Sequence, residues 1–291
     1  MNIKYGDHVK LRVRHCTRFH YVSDVSQAYN ELRLSPLDTG LQRVLDSSIA
    51  VTPSATLRYH EDHFGNRVCH FNILDTHNTL EIVAESTVET THAICCGPES
   101  KLYSRPHSER LAEFMAWSPG VPSLDEYGSV PHAHEINMNM DEEEFEQALA
   151  SVASYFYTQF RYDPDVTNVY SSPKELFKHG GGVCQDLAHA LIGVLRTVGI
   201  PTRYVSGYIY DPGKDCEGEH LLGSGATHAW VQAWHEKFGW VGIDPTNDRL
   251  VDWQYVRTAV GRDYFDVQPV RGVFHGNVEQ QMKVDVRVAL A

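Results

Sequence analysis

The chain has 291 residues, of which 42% are hydrophobic and 22% charged, as in an ordinary globular protein with a substantial core. Its formal net charge of −13, from 38 acidic and 25 basic residues, disfavours nucleic acids and anionic membranes as partners. No apolar run is long enough to span a membrane, and the polar start MNIKYGDHVK lacks the apolar segment of a secretory signal, so we expect a cytoplasmic protein with reduced thiols.

Residues 9–91 show the two-residue periodicity of antiparallel strands. In VKLRVRHC, Val9, Leu11 and Val13 alternate with basic side chains, and the segments QRVLDSSIAV, RVCHFNIL and LEIVAEST follow the same pattern. We therefore predict an N-terminal antiparallel β domain over residues 1–96. This domain could cover one side of a cleft, select a substrate or mediate self-association, and an exposed sheet edge would allow either of the last two.

Residues 97–140 are rich in proline, glycine and serine, and we predict a connecting segment there. Helical patterns follow, with Asp141 as the cap of a helix at about 142–160 and Ser172 as the cap of a second helix. Strands are predicted in the later segments TRYVSGYIY, HAWVQAWH and WVGID. Residues 141–291 are thus predicted to form an α+β core.

Cys184 stands at the start of a third predicted helix, CQDLAHALIGVLRTV, directly after the glycines at 180–182 and Val183. A thiol attacks carbonyl groups as its thiolate, which a helix N-terminus and an imidazolium partner both favour. The free N–H groups at such a terminus, including that of Cys184, are candidate donors to an oxyanion. We expect the glycines to free space around a reactive sulfur.

His228 and Asp244 are the candidates to complete such a site. His228 begins the strand HAWVQAWH, and Asp244 ends the next strand, WVGID. A three-residue turn would pair His235 with Gly239 and would place Asp244 diagonally across from His228 on the same sheet face. A slip of one residue would move Asp244 to the other face and separate the two side chains.

Other side chains give weaker signals for a site. Trp230, Trp234 and Trp240, in the strands HAWVQAWH and WVGID, could line a cleft, and Tyr162 and Tyr208 could border it. Ordinary packing explains each of these side chains as well. Histidines also occur at short spacings in HEDH and HAH, but no known zinc framework accompanies them, so no metal site is predicted.

Two long segments, GGGVCQDLAHALIGVLRTVGIPTRYVSGYIYDPG and GATHAWVQAWHEKFGWVGIDPTND, resemble the core of the bacterial transglutaminase-like superfamily. RHCTRFHY and NELRLSP resemble the β domain that often precedes this core. The resemblance implies a papain-like α+β core, with Cys184 as nucleophile, His228 as general base and acid, and Asp244 as its orienting partner. Many relatives carry an acid where this chain has Gln232, a departure that we expect to affect the strand surface and substrate detail.

The implied activity is thiol-dependent acyl transfer on a peptide or another amide or ester, without a cofactor. Hydrolysis of the acyl-enzyme would make the protein a cysteine peptidase or amidase, the outcome that the resemblance favours. Capture of the acyl group by an amine would make it a protein-glutamine transglutaminase. The non-enzymatic alternative is a binding module with a vestigial site, and the presence of all three triad residues argues against it.

Overall fold

The computed structural model describes residues 7–91, 111–215, 221–276 and 278–291. Within them, an antiparallel seven-stranded sheet forms the N-terminal unit and an α+β core follows. The strands of the first sheet are β1 His8–Leu32, β2 Gln42–Thr52, β3 Arg58–Glu61, β4 Arg67–Ile73, β5 His77–Thr91, β13 Val270–His275 and β14 Gln280–Leu290. Their order is β2-β5-β1-β4-β3, and both β13 and β14 pair with β1. The predicted N-terminal antiparallel sheet is confirmed.

The last two strands depart from the predicted division of the chain. We assigned residues 141–291 to the core, but β14 pairs with residues 11–21 of β1, and β13 pairs with residues 26–32. The alternating sequence QQMKVDVRVAL predicts a strand. The strand with which it pairs depends on which sheet edge the rest of the fold leaves open. The C-terminus therefore returns to complete the N-terminal sheet.

The core has the helices α1 Glu142–Gln159, α2 Pro173–His179, α3 Cys184–Thr197 and α4 Tyr264–Val267, with 3-10 turns at Asp125–Ser129, Ala133–Glu135 and Pro212–Asp215. Its sheet has the order β11-β10-β9-β8-β12, formed by β8 Thr202–Ile209, β9 His228–His235, β10 Gly239–Asp244, β11 Arg249–Leu250 and β12 Tyr255–Gly261. A short parallel pair joins β6 Arg161–Tyr162 to β7 Gly181–Gly182.

The helix boundaries follow the capping signals in the sequence. The Asp141 side chain accepts from the Glu144 N–H at 2.9 Å, and the Glu144 carboxylate accepts from the Asp141 N–H at 3.0 Å, which closes the expected capping box. Ser172 caps α2. α3 is buried from Gln185 to Arg196 and forms the middle of the core between the sheet and the other helices.

Part of the predicted connecting segment 97–140 lies outside the described residues, and the rest, from residue 111 onward, is packed into the core. Phe114 and Tyr127 are both buried. The ring of Tyr127 lies against Gly193 of α3 so closely that a Cβ at that glycine would be 2.1 Å from the ring. This irregular stretch is therefore an integral layer of the core.

Side-chain amides join the two units at the outer edge of β12. Gln42 donates to the carbonyl of Arg257 and accepts from its N–H, both at 2.8 Å. Asn66 makes the same pair of bonds with Val260, also at 2.8 Å each. These amides occupy the place of a neighbouring strand, so they satisfy backbone groups that an edge strand would otherwise leave open.

Within the described residues, no helix has the length and apolar character needed to cross a membrane.

Candidate active site

Cys184 is partly exposed at the first position of α3, and the glycines before it shape the approach to that position. Gly180 ends α2 in the left-handed conformation, with φ of 66°. A Cβ on Gly182 would lie 2.8 Å from an Asp186 carboxylate oxygen, and a Cβ on Gly181 would lie 3.1 Å from the Arg161 carbonyl. Gly181 and Gly182 thus leave room for the neighbouring strand and for the Asp186 carboxylate. The sequence predicts instead that the glycines free space around the sulfur.

Asp186 fastens the first turn of α3 to its surroundings. Its Oδ2 accepts from the Val183 N–H at 2.8 Å and from the Thr167 hydroxyl at 2.7 Å. Burial raises the pKa of Asp186, and these two hydrogen bonds act in the opposite direction. Gln185 donates to the Val169 carbonyl at 3.0 Å, so both residues that follow Cys184 bind the loop at 163–171.

The register of β9 and β10 brings His228 and Asp244 together. Gly239 pairs with His235 and Ile243 pairs with Val231, as the three-residue turn predicts. His228 Nε2 donates to Asp244 Oδ2 at 2.7 Å, and neither side chain has any exposed surface. The predicted juxtaposition of these two residues is therefore present in the structure.

Asp244 receives further hydrogen bonds that hold it as a carboxylate. The Tyr255 hydroxyl and the Asn247 amide both donate to Oδ2 at 2.8 Å, and the Thr246 N–H donates to Oδ1 at 2.9 Å. Burial favours the neutral acid, but the His228 charge and these donors outweigh it, so the pKa of Asp244 lies below its usual value. Tyr255 and Asn247 had no assigned role in the sequence.

The pKa of His228 is strongly perturbed. Burial lowers its pKa, but Asp244, through charge and hydrogen bond, together with the Cys184 sulfur, raises it to about 10. The ring is therefore an imidazolium near neutral pH. Among the described residues, no group makes a well-formed hydrogen bond to Nδ1. Nδ1 is the nitrogen left to serve the thiol.

A loop at 221–226 lies over the free face of the imidazole. Gly223 has φ of 81°, and a Cβ there would be 2.5 Å from His228 Nδ1. The Asn247 side chain holds this loop, since its Oδ1 accepts from the Leu222 N–H at 2.9 Å while its amide binds Asp244. The Val286 N–H of β14 donates to the Gly225 carbonyl at 3.2 Å, so the C-terminal strand also supports the loop.

The aromatic candidates divide between the site and the scaffold. The Trp230 ring lies next to the His228 ring and roughly parallel to it, with centroids 6.2 Å apart and planes 27° from parallel. Tyr162 borders the site, because burial first and the charge of Cys184 second raise its pKa to about 12. Tyr208 is remote from the site, since its hydroxyl is 3.3 Å from His15 Nδ1 at the contact between the two units.

The remaining predictions concern other parts of the core. Trp234 and Trp240 pack on each other with ring centroids 5.3 Å apart. Gln232 is buried rather than on a strand surface, and its oxygen accepts from Arg203 Nε at 2.8 Å and from Arg257 at 3.4 Å. In the described part of the chain, no group of three or more histidine, cysteine, aspartate or glutamate side chains could hold a metal ion.

Comparison with known sequences places both units in one family. Residues 133–245 match the core of the transglutaminase-like superfamily, and residues 11–89 match the bacterial transglutaminase-like N-terminal region. The chain belongs to the transglutaminase-like superfamily, and within it to the bacterial type that carries this N-terminal region.

Two mycobacterial proteins align with nearly the whole of this chain. An uncharacterized protein of Mycobacterium leprae is 32% identical over 282 residues, which cover 96% of this chain and 98% of that protein. An uncharacterized Mycobacterium tuberculosis protein is also 32% identical, over 97% of this chain and 92% of its own length. A protein-glutamine gamma-glutamyltransferase of Pseudomonas aeruginosa is 35% identical over 83 residues, 28% of this chain and 12% of that protein.

The fold of both units also occurs in a solved structure. A Cytophaga hutchinsonii protein described as "a Putative Cysteine Protease" matches with a TM-score of 0.72 at 21% identity, covering 98% of this chain and 91% of that chain. At this level of identity the match concerns the fold. The predicted architecture, an antiparallel β domain followed by a papain-like transglutaminase core, is thereby confirmed.

Proposed function

We propose that the protein is a thiol-dependent acyl-transfer enzyme that acts as a cysteine peptidase or amidase. The observation that carries this proposal is the buried His228–Asp244 pair together with a partly exposed cysteine at a helix N-terminus, whose sulfur helps to raise the pKa of His228. Because the pKa of His228 is raised to about 10, the ring holds both protons near neutral pH and has one to give to a leaving group. Membership of the transglutaminase-like superfamily supports the same kind of chemistry.

In the first half of the reaction, the thiolate of Cys184 attacks the carbonyl carbon and the carbonyl electron pair moves to oxygen. The backbone N–H of Cys184, at the positive end of α3, is placed to stabilise that oxyanion. His228 then gives its Nδ1 proton to the leaving nitrogen, and the carbon–nitrogen bond breaks. The products are an amine and an acyl thioester on Cys184.

In the second half, His228 takes a proton from water as the water oxygen attacks the thioester. Collapse of this intermediate expels the thiolate and releases a carboxylic acid. Asp244 remains ionised throughout and holds the Nε2 proton, which keeps Nδ1 directed to the chemistry. An amine in place of water would form a new amide, and the similarity to the Pseudomonas glutamyltransferase supports transamidation as the second candidate.

Alkylation by iodoacetamide at pH 6 tests the reactive thiol directly. We expect Cys184 to react at least about tenfold faster than Cys16 and Cys69, because burial raises the pKa of both of those thiols. The fast label should disappear in Cys184→Ala and slow markedly in His228→Gln. Equal slow labelling of all cysteines would contradict the proposal and favour a vestigial site.

A substrate screen distinguishes the two reactions. Acyl-coumarin esters and peptidyl amides are incubated with the wild type and Cys184→Ala, with and without hydroxylamine as the amine acceptor. Hydrolysis predicts free acid as the main product even when hydroxylamine is present, whereas a transamidase gives mainly the hydroxamate. Activity that survives in Cys184→Ala would contradict both reactions.

A further inference from the structure

An exposed aromatic surface lies beside the loop that binds the first turn of α3. It consists of the exposed residues Val169 and Tyr170 and the half-buried rings of Tyr264 and Phe265, and we call it the aromatic patch. Tyr170 is 78% exposed and stacks on Phe265, with ring centroids 6.2 Å apart and planes 21° from parallel. Phe265 in turn meets Tyr264 edge to face at 6.0 Å. A cluster of this kind on a protein surface commonly marks a recognition site.

The aromatic patch is held in place by the site itself. The Val169 carbonyl accepts from Gln185, the residue next to the nucleophile, at 3.0 Å. The Tyr170 N–H donates to the Asn168 side chain at 2.9 Å. The Ser171 N–H donates to the Asn168 backbone carbonyl, also at 2.9 Å, and this bond closes the turn. Tyr170 is therefore an exposed aromatic side chain on a well-ordered backbone, so a ligand that stacks on it has no loop to order.

Tyr264 connects the aromatic patch to the nucleophile. Tyr264 and Cys184 pack against the same hydrophobic core cluster, and burial first, then the charges of Tyr170 and Cys184, raise the pKa of Tyr264. The position of Tyr264 is fixed by the buried ring of His189, whose Nε2 accepts from the Tyr264 N–H at 3.0 Å. The aromatic patch thus adjoins the N-terminal part of α3, the helix that begins at Cys184.

The two sides of Cys184 differ in character. The imidazole and the loop at 221–226, with Gly223 and Asn247, lie on the side where His228 delivers a proton to the leaving nitrogen. The aromatic patch comes from the loop at 163–171 and from α4, which are separate elements. A substrate whose leaving group faces His228 would direct its acyl portion toward the patch.

We propose that the aromatic patch is an acyl-side subsite that binds a large apolar, preferably aromatic, side chain of a peptide substrate. This proposal rests on the function proposed above, since it assigns the acyl specificity of the same cysteine. Stacking on Tyr170 and Phe265 provides the selectivity, and no charged side chain of the substrate is required. A small acyl residue such as glycine leaves the rings uncovered.

The test compares two peptidyl aminocoumarins that differ only in phenylalanine or glycine at the acyl position. We expect the wild type to prefer the phenylalanine substrate, and Tyr170→Ala to reduce that ratio of kcat/KM by about tenfold. Tyr157→Ala is the matched control, because Tyr157 is 50% exposed on α1 and should leave the ratio unchanged. An unchanged ratio in Tyr170→Ala would overturn the proposal.

A binding experiment separates this proposal from the chemistry. Phenylalanine and glycine peptide amides are titrated into Cys184→Ala and into Cys184→Ala combined with Tyr170→Ala, with binding followed by NMR shifts. Preferential binding of the phenylalanine peptide that depends on Tyr170 supports the subsite even if the wild type turns over no substrate. Equal binding of the two peptides overturns it. A dimer that dissociates on Tyr170→Ala, without any peptide preference, would also overturn it and assign the patch to a second copy of this chain.

Discussion

His228 and Asp244 share a 2.7 Å hydrogen bond in a site from which solvent is excluded on both side chains. In such surroundings an unpaired imidazolium or carboxylate would be costly, so each charge depends on the other. Tyr255 and Asn247 add further donors to the carboxylate. The network therefore stabilises an ionised aspartate beside a protonated ring, which is the state that a thiolate partner needs.

Replacing the carboxylate isolates its contribution to this state. In Asp244→Asn, burial is left as the main influence on His228, so we expect the ring pKa to fall from about 10 to below 6.5. Fast alkylation of Cys184 at pH 6 should be lost, and kcat/KM should drop by about 10³-fold or more. NMR titration of the His228 ring measures the pKa. A ring that stays protonated at pH 8 in this variant would contradict the argument.

The same shift predicts how stability varies with pH. His228 binds its proton more tightly in the folded protein, with a pKa of about 10, than in the unfolded chain, where it is near 6.5. Its contribution is thus fully present below about pH 6.5 and is lost as the pH rises toward 10. We expect the free energy of unfolding of the wild type to fall by a few kcal/mol more than that of His228→Gln over this range. Urea titrations at several pH values test this, and parallel curves for the two proteins would refute it.

The sequence was sufficient where local rules determine structure. The three-residue turn between β9 and β10 sets their register, so the side-by-side placement of His228 and Asp244 follows from the sequence alone. Asp141 and Ser172 likewise predicted helix starts. Cys184 at the head of α3 follows from the same kind of signal, since the apolar periodicity begins directly after the glycines.

Contacts between distant segments were beyond local rules. Nothing in QQMKVDVRVAL indicates that β14 pairs with β1, because an alternating strand fits any open edge. Asn247 lies in the segment GATHAWVQAWHEKFGWVGIDPTND, which resembles the family. Its role nevertheless depends on the backbone of Leu222, which lies in another loop. The partner of Tyr208, His15, likewise belongs to the other unit. Only the assembled fold brings these groups together.

Gly223 gives a further prediction about the site. Gly223→Ala combines an unfavourable φ of 81° with a Cβ placed 2.5 Å from His228 Nδ1, so we expect the ring to shift and the alkylation rate of Cys184 to fall about tenfold or more. Gly199→Ala is the matched control, since its φ is 86° and a Cβ there meets nothing within 4 Å.

We expect Gly199→Ala to lower the free energy of unfolding by about 1 kcal/mol while leaving the alkylation rate unchanged. Comparing the two variants separates backbone strain from displacement of the imidazole. The interpretation fails if both variants lose stability equally and neither alters the reactivity of the thiol.

The surroundings of Gln232 predict the effect of changing it. Its oxygen accepts from Arg203 and Arg257, both buried. Gln232→Ala removes this acceptor and should lower the free energy of unfolding by about 1–3 kcal/mol. Gln147→Ala, on the exposed face of α1, is the control and should stay within about 0.5 kcal/mol of the wild type.

Gln232→Glu should act in the opposite direction and raise the melting temperature above that of the wild type. The two guanidiniums are already buried in the native protein. The substitution therefore adds an opposite charge between them and removes no packing, and it makes both hydrogen bonds charge-assisted. Thermal unfolding at pH 7 measures the change, and the gain should be smaller at pH 4, because the new glutamate there takes up a proton when the chain unfolds. A melting temperature below that of the wild type at pH 7 would mean that the desolvation of the carboxylate exceeds its attraction to Arg203 and Arg257.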